Sequence, residues 1–153
     1  MNEKVCCISG KRDIPPESEE RIRKELFEKI IDAINNGHNI FICGFARGTD
    51  IMAAEIIIKL KGYKENENIK LKAYLPYKER KCSKKIKELL NECDDIILCS
   101  EYYYKGCYLV RDKKMIENSG MLIAVTGKEE TGGTGYTIRC AVKKDIDIER
   151  IWL

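Results

Sequence analysis

The sequence is short of most features that would specialise it. No apolar run approaches the roughly 20 residues a membrane-spanning helix needs. No secretory leader precedes the first strand-like run, Lys4 to Ile8, so a cytoplasmic location is expected. Histidine occurs once, and none of the eight cysteines is spaced C-x-x-C. Zinc sites show paired ligands at short spacing, so no metal is expected. Net charge is only +3. Lys and Arg are interleaved with Asp and Glu, which reads as solvated faces and not as a nucleic-acid stripe. Two familiar signatures are missing as well. No G-x-G-x-x-G follows the first strand, which weighs against standard NAD dehydrogenase chemistry, and no G-x-x-x-x-G-K-[ST] marks a P-loop ATPase.

What is present is alternation. The chain has 153 residues, the size of one ordinary domain, and no linker or repeat divides it. Strand-like runs at Lys4–Ile8, Asn39–Cys43, Leu71–Leu75, Ile96–Cys99, Met121–Val125 and Ile148–Leu153 are separated by helical patterns. Ser18 is the expected N-cap of the first helix, with Glu19 and Glu20 in its first turn. Thr49 is the expected cap of the second, which is apolar nearly all round. Ser83 is the expected cap of the third. A fourth helix is expected over Tyr108–Asn118, and a fifth after a loop spanning Thr126–Gly135. No hairpin signal joins any two strands. The pattern predicts a Rossmann-like three-layer αβα fold with a mostly parallel sheet of about six strands. The strands lack period-2 polarity, as expected when helices cover both faces. Cys6, Cys7, Cys43 and Cys99 fall in these runs and read as small core hydrophobes.

In an open parallel sheet, ligands bind at the carboxyl ends of the strands. Three such ends here are rich in glycine or hydroxyl residues: Ser9-Gly10-Lys11-Arg12, Gly44-Phe45-Ala46-Arg47-Gly48-Thr49-Asp50, and Thr131-Gly132-Gly133-Thr134-Gly135-Tyr136-Thr137. Glycine lets backbone approach a phosphate, and a following helix offers unpaired N–H groups and a positive dipole end. Arg12, Arg47 and Arg111 supply charge suited to phosphate. Asp50 and Glu55, near the start of the second helix, could accept from ribose hydroxyls. Turn geometry alone also explains Gly10, and dipole complementarity alone explains Asp50. His38, in an Asn-Gly-His-Asn turn at the amino end of a strand, reads as a turn residue. The run Tyr102-Tyr103-Tyr104 either stacks on a base or covers the sheet edge.

These stretches resemble the YpsA-like branch of the SLOG superfamily, named for the Smf, DprA and Lonely-Guy proteins. The match runs through Ser9–Arg12, Gly44–Glu55, Leu75-Pro76-Tyr77, Arg111-Asp112 with Ser119, and Leu122–Val125 followed by Gly132–Arg139. The resemblance implies a Rossmann-like fold in bacterial or prophage proteins that bind nucleotides or nucleotide-derived ligands. Some superfamily members cleave a base from a nucleoside monophosphate, some bind DNA, and others look like sensors of NAD-derived signals. This chain departs from the Lonely-Guy pattern P-G-G-x-G-T-x-x-E, with Thr131 in place of Pro and Arg139 in place of the catalytic Glu. It also has Asp112 where members often have Asn, and Gly120 where they often have Asp.

The expectation is therefore one domain, residues 1–153, that senses or sequesters a nucleotide or an NAD- or ADP-ribose-derived ligand with no required cofactor. Ligand contacts are expected from Gly10, Lys11, Arg12, Gly44, Arg47, Gly48, Thr49, Asp50, Glu55, Arg111, Gly132, Gly133, Thr134 and Gly135. The alternative is a nucleotide N-glycosidase using Asp50, Glu55 or Asp112 as its acid. A DNA-binding module ranks third. Neither a membrane nor a nucleic-acid partner is expected, and a homo-oligomer remains open.

Overall fold

The computed structural model describes residues 3–78 and 81–153. Among these residues, strands and helices alternate as β1 (Val5–Gly10), α1 (Pro16–Asn35), β2 (Ile40–Cys43), α2 (Thr49–Lys61), β3 (Lys70–Leu75), α3 (Lys84–Asn91), β4 (Asp95–Leu98), α4 (Cys107–Glu117), β5 (Met121–Thr126), α5 (Gly132–Lys144) and β6 (Asp147–Trp152). A short 3-10 turn at Lys64–Asn66, which the sequence pattern does not announce, joins α2 to β3. Every ladder is parallel, and the strand order is β4-β3-β2-β1-β5-β6. The sheet is thus wholly parallel.

The pleat divides the apolar residues between two cores. Cys6, Ile8, Phe41, Leu71, Ile123 and Val125 face α1, α2 and α3. Cys7, Ile40, Ile42, Leu122 and Ala124 face α4 and α5. Adjacent residues of one strand, Cys6 and Cys7, enter opposite layers because successive side chains alternate. The central strands can therefore be apolar throughout, with β2 buried at every position. The expected role of Cys6, Cys7 and Cys43 as core residues holds, since all three are fully buried free thiols. Cys99 is only half-buried, just past the end of the edge strand β4. Each fully buried Ile or Leu contributes roughly 1.5–3 kcal/mol over its exposed state. α2 carries much of this, with Ile51, Met52, Ala53, Ala54, Ile56, Ile57 and Leu60 all buried.

Helix starts differ from the sequence reading in three places. α1 begins at Pro16, preceded by Pro15 in extended conformation, and uses no side-chain cap. Ser18 lies inside its first turn and donates its backbone N–H to the Pro15 carbonyl at 2.9 Å. Proline lacks the N–H that a cap would satisfy, so Pro16 opens the helix unaided. At α2 the cap position is Gly48, and Thr49 is the first helical residue. The Thr49 hydroxyl donates across to the Lys11 carbonyl at 2.9 Å, tying α2 to the end of β1. The stretch Gly132–Gly135 is the first turn of α5 and not a loop. Ser83 does cap α3, accepting from the Ile86 N–H at 3.2 Å.

His38 sits in the α1–β2 turn, its Nδ1 3.1 Å from the Ala33 carbonyl, as a turn residue would. Chain order reverses between β1 and its two neighbours, β2 and β5. Consecutive crossovers leave in opposite directions there and open a crevice at the carboxyl ends of the strands. Among the described residues, no helix is long and apolar enough to cross a membrane.

Candidate functional site

A cleft of about 400 Å³ occupies this switch point. It is lined by Ser9, Gly10, Lys11 and Arg12 from the end of β1, Ala46 and Asp50 from the β2–α2 turn, Tyr108, Leu109, Arg111 and Asp112 from α4, and Thr131, Gly132, Gly133 and Thr134 from the start of α5. The three loops singled out in the sequence do converge on it.

The floor is ionic and nearly dry. Arg111 and Asp112 are buried neighbours, with Arg111 Nε donating to Asp112 Oδ1 at 2.7 Å. Arg111 Nη1 donates to the carbonyls of Gly44 at 2.8 Å and Tyr74 at 3.1 Å. Asp50, also buried, accepts the Ala46 N–H at 3.1 Å through Oδ2. Burial pushes the Asp50 carboxyl up to about 6, against the opposing pull of Arg111 and the Ala46 N–H. Burial raises Asp112 as well, again opposed by Arg111. Two carboxyls thus share one guanidinium, an arrangement that favours a proton on one of them.

The rim is cationic. Arg12 lies over the Tyr108 ring at 5.3 Å from its centroid, and Arg111 approaches the same ring at 5.5 Å. Lys11 Nζ reaches across to the Thr131 carbonyl at 3.4 Å, bridging two of the loops. Facing them is the N-terminus of α5, where the first N–H groups have no partner within the helix and the dipole is positive. Gly133 faces Asp112: a Cβ placed there would stand 3.6 Å from Asp112 Oδ2.

Several expected contacts lie elsewhere. Gly44 sits beneath the Arg111 guanidinium, which leaves no room for a side chain. Gly48 holds a φ of +81° and packs on the Lys11 and Arg12 carbonyls, so it shapes the turn. A Cβ on Gly10 would come within 2.5 Å of Thr49 Oγ1 and 2.8 Å of Val125 Cβ, so this glycine admits α2 as well as lining the cleft. Gly135 packs against the Glu130 carbonyl. Thr49 is turned toward Lys11. Arg47 points outward to Asp13, at 3.1 and 3.2 Å, and adjoins the cleft without lining it. Glu55 pairs with Arg23 at 3.3 Å and Lys85 at 3.1 Å on the outer side of α2. Five residues turn a helix by about 140° beyond a full circle, so Asp50 and Glu55 cannot share a face. Arg139 is exposed, its guanidinium directed toward the Glu130 carbonyl, and it does not line the cleft. Tyr108 and Leu109 line the cleft from outside the three loops singled out in the sequence. Tyr108 was legible in principle, because an aromatic residue three positions before Arg111 on a helix lies on the same face.

A family model for the YspA SLOG family matches residues 16–151. The chain belongs to this family. Similar relatives include a UPF0398 protein of Bacillus cereus (strain ATCC 14579), 26% identical over 133 residues, covering 82% of this chain and 71% of the relative. A UPF0398 protein of Halalkalibacterium halodurans is 24% identical over 131 residues, covering 80% and 68%. Among solved structures, the X-ray structure of TM1055, a Northeast Structural Genomics Consortium target, superposes with a TM-score of 0.62 at 11% identity. The match covers 96% of this chain and 72% of that one, and it is a likeness of fold. Membership of the YspA SLOG family and the Rossmann-like fold point together to a nucleotide-related role.

Proposed function

We propose that this SLOG protein binds a nucleotide, or an NAD- or ADP-ribose-derived ligand, in the switch-point cleft, and acts as a sensor or sequestering module with no required cofactor. The observation that carries the reading is the meeting of the α5 N-terminus, Lys11 and Arg12 around one cavity. A phosphate lodged at Gly132-Gly133-Thr134 meets free N–H donors, a helix dipole and two cations at once. Asp50 and Asp112 lie on the floor, where ribose hydroxyls can donate to them. Gly44, Gly48 and Thr49 serve this site by shaping the β2–α2 turn.

A second reading, N-glycosidic cleavage of a nucleotide, draws support from the same floor. Burial raises both carboxyls toward neutrality, the direction a general acid requires, and both acids lie in the cleft. Glu55, on the far side of α2, pairs with Arg23 and Lys85, and the reading therefore favours Asp50 or Asp112 as the acid.

The binding reading is tested by thermal melting with AMP, ADP-ribose and NAD at millimolar concentration. At least one should raise the melting temperature. Gly133→Ala should melt near wild type unliganded, because a Cβ has room there, yet lose the shift, because the methyl stands where a phosphate would approach. No shift with any of the three compounds overturns the proposal.

A further inference from the structure

The two edges of the sheet are unlike. β6 closes one of them with charge. Its Glu149 pairs with Lys29 at 3.2 Å and its Arg150 with Glu130 at 2.6 Å, and charged side chains of this kind keep an edge from pairing with another chain. β4 forms the other edge with Asp95-Ile96-Ile97-Leu98. None of these residues is buried, and Ile96 and Leu98 are 42% and 44% exposed. α3, which leads into β4, has no buried residue either, and its Ile86, Leu89 and Leu90 pack only in part against the core. Three large aliphatic residues in a row on an uncharged edge are a template for a further strand.

The backbone of β4 suits a second copy of itself. The Cys99 N–H donates to the Leu75 carbonyl at 2.9 Å, and Ile97 lies in parallel register with Tyr74. Ile97 and Cys99 therefore turn their backbone groups toward β3, and by alternation Ile96 and Leu98 turn theirs outward. An antiparallel copy centred on Ile97 sets Ile96 opposite Leu98 of the second copy, twice over by symmetry. This register joins the outward N–H and C=O groups reciprocally, and every facing side-chain pair from Ile96 to Leu98 is aliphatic. A slip of two residues in the sum of paired positions sets Asp94 or Ser100 against an aliphatic residue instead. The Ile96 N–H donates to Asp95 Oδ1 at 2.9 Å in the single chain. On pairing, a carbonyl of the second copy replaces that carboxylate, which returns to water.

Charge selects the same partner. Around α3, Lys81, Lys84 and Lys87 come first and Glu88, Glu92 and Asp95 last. Lys85 and Asp94 are already engaged within the chain, with Glu55 and Lys61. Within one chain this order is unfavourable, because a helix prefers acids at its N-terminus and cations at its C-terminus. A two-fold axis normal to the sheet runs the two α3 helices antiparallel on one face. The lysine half of each then meets the acidic half of the other, at both ends. We infer that the chain forms a two-fold homodimer through β4 and α3, in which two six-stranded sheets join into one. The switch-point cleft, at β1 and away from this edge, stays open in both copies. The inference is therefore independent of the nucleotide reading.

The test is sedimentation velocity of the full chain across the micromolar range. Wild type should sediment as a dimer at the upper end. Ile96→Lys and Leu98→Lys should each weaken the dimer at least tenfold, because lysine blunts an edge. Trp152→Lys, on the β6 edge, should leave it within twofold. A second set of variants spares the strand and keeps the test valid if the lysine variants fold poorly. Lys84→Glu with Lys87→Glu should weaken the dimer at least fivefold, and adding Glu88→Lys and Glu92→Lys should restore it. A chain that stays monomeric throughout overturns the inference. So does a dimer unmoved by both sets of variants, and so does growth beyond two copies, since a two-fold pairing closes on itself.

Discussion

Arg111 is closed to water, and the partners of its guanidinium are acceptors: the Asp112 carboxylate and the carbonyls of Gly44 and Tyr74. Removing one member of a buried ionic group leaves the rest uncompensated, at a cost of about 3–5 kcal/mol. Arg111→Met should lose stability of that size in urea unfolding at pH 7. The loss should shrink at pH 5, where the orphaned acids take up protons, and Arg111→Lys should recover only part, lacking the planar fork. A loss under about 1 kcal/mol would mean that Asp50 and Asp112 are not ionised beside it. Asp50 makes a separate claim. Its folded pKa, about 6, lies above the ordinary value of 3.8, so the folded state holds the proton more tightly. Its contribution to stability is fully present below pH 3.8 and is lost as pH rises through 6. Wild type should therefore lose ground to Asp50→Asn across that window, by roughly 2–3 kcal/mol. Paired urea melts at pH 4 and pH 7 measure it, and a constant difference would place the proton elsewhere.

At the scale of elements, two serines that look alike in sequence behave differently. Ser83 accepts the Ile86 N–H and caps α3, so Ser83→Ala should cost about 1 kcal/mol. Ser18 lies within α1, which starts on Pro16 without a cap. Ser18→Ala should change stability by less than about 0.3 kcal/mol, a bound well below a cap's worth. Equal costs in chemical denaturation would contradict this assignment. The difference comes from the prolines. Pro15-Pro16 pre-sets the backbone, while the entry to α3 depends on a side chain. α4 shows the converse at its C-terminus. Lys144 of α5 donates to the carbonyls of Ile116 at 3.1 Å and of Glu117 and Ser119 at 2.8 Å. Those orphan acceptors are closed by a partner helix, which also fixes how α4 and α5 flank the cleft.

For the whole molecule, the open question is turnover. The acids in the cleft are held by Arg111 and backbone N–H groups, and the position that carries the catalytic Glu in Lonely-Guy enzymes is Arg139, outside the cleft lining. Cleaving an N-glycosidic bond builds positive charge on the ribose, which needs a free carboxylate nearby. No free base should therefore be released from AMP or cytokinin-type monophosphates above background. Chromatography with catalytic and with stoichiometric protein decides. Many turnovers per chain would replace the sensor reading with an enzyme, and Asp112→Asn would then be the first variant to assay.

Alternation of short apolar runs with helical patterns was enough to give the αβα class and the crossovers, because these follow from local periodicity and the handedness of the chain. The glycine-rich strand ends announced a cleft at the carboxyl edge of the sheet for the same local reason. Which residues of those loops face the cleft was not legible. The positive φ of Phe45 and Gly48 turns Arg47 out toward Asp13 and Ala46 inward, and helix phase carries Glu55 to the other side of α2. Arg111 and Asp112 stand 67 residues and more from Gly44 in sequence, and only the packing of α4 against the sheet brings the Arg111 guanidinium onto Gly44. Local sequence determined the elements and the chemistry available to them. Tertiary packing decided which side chains meet, because burial and charge pairing act between residues that are distant along the chain.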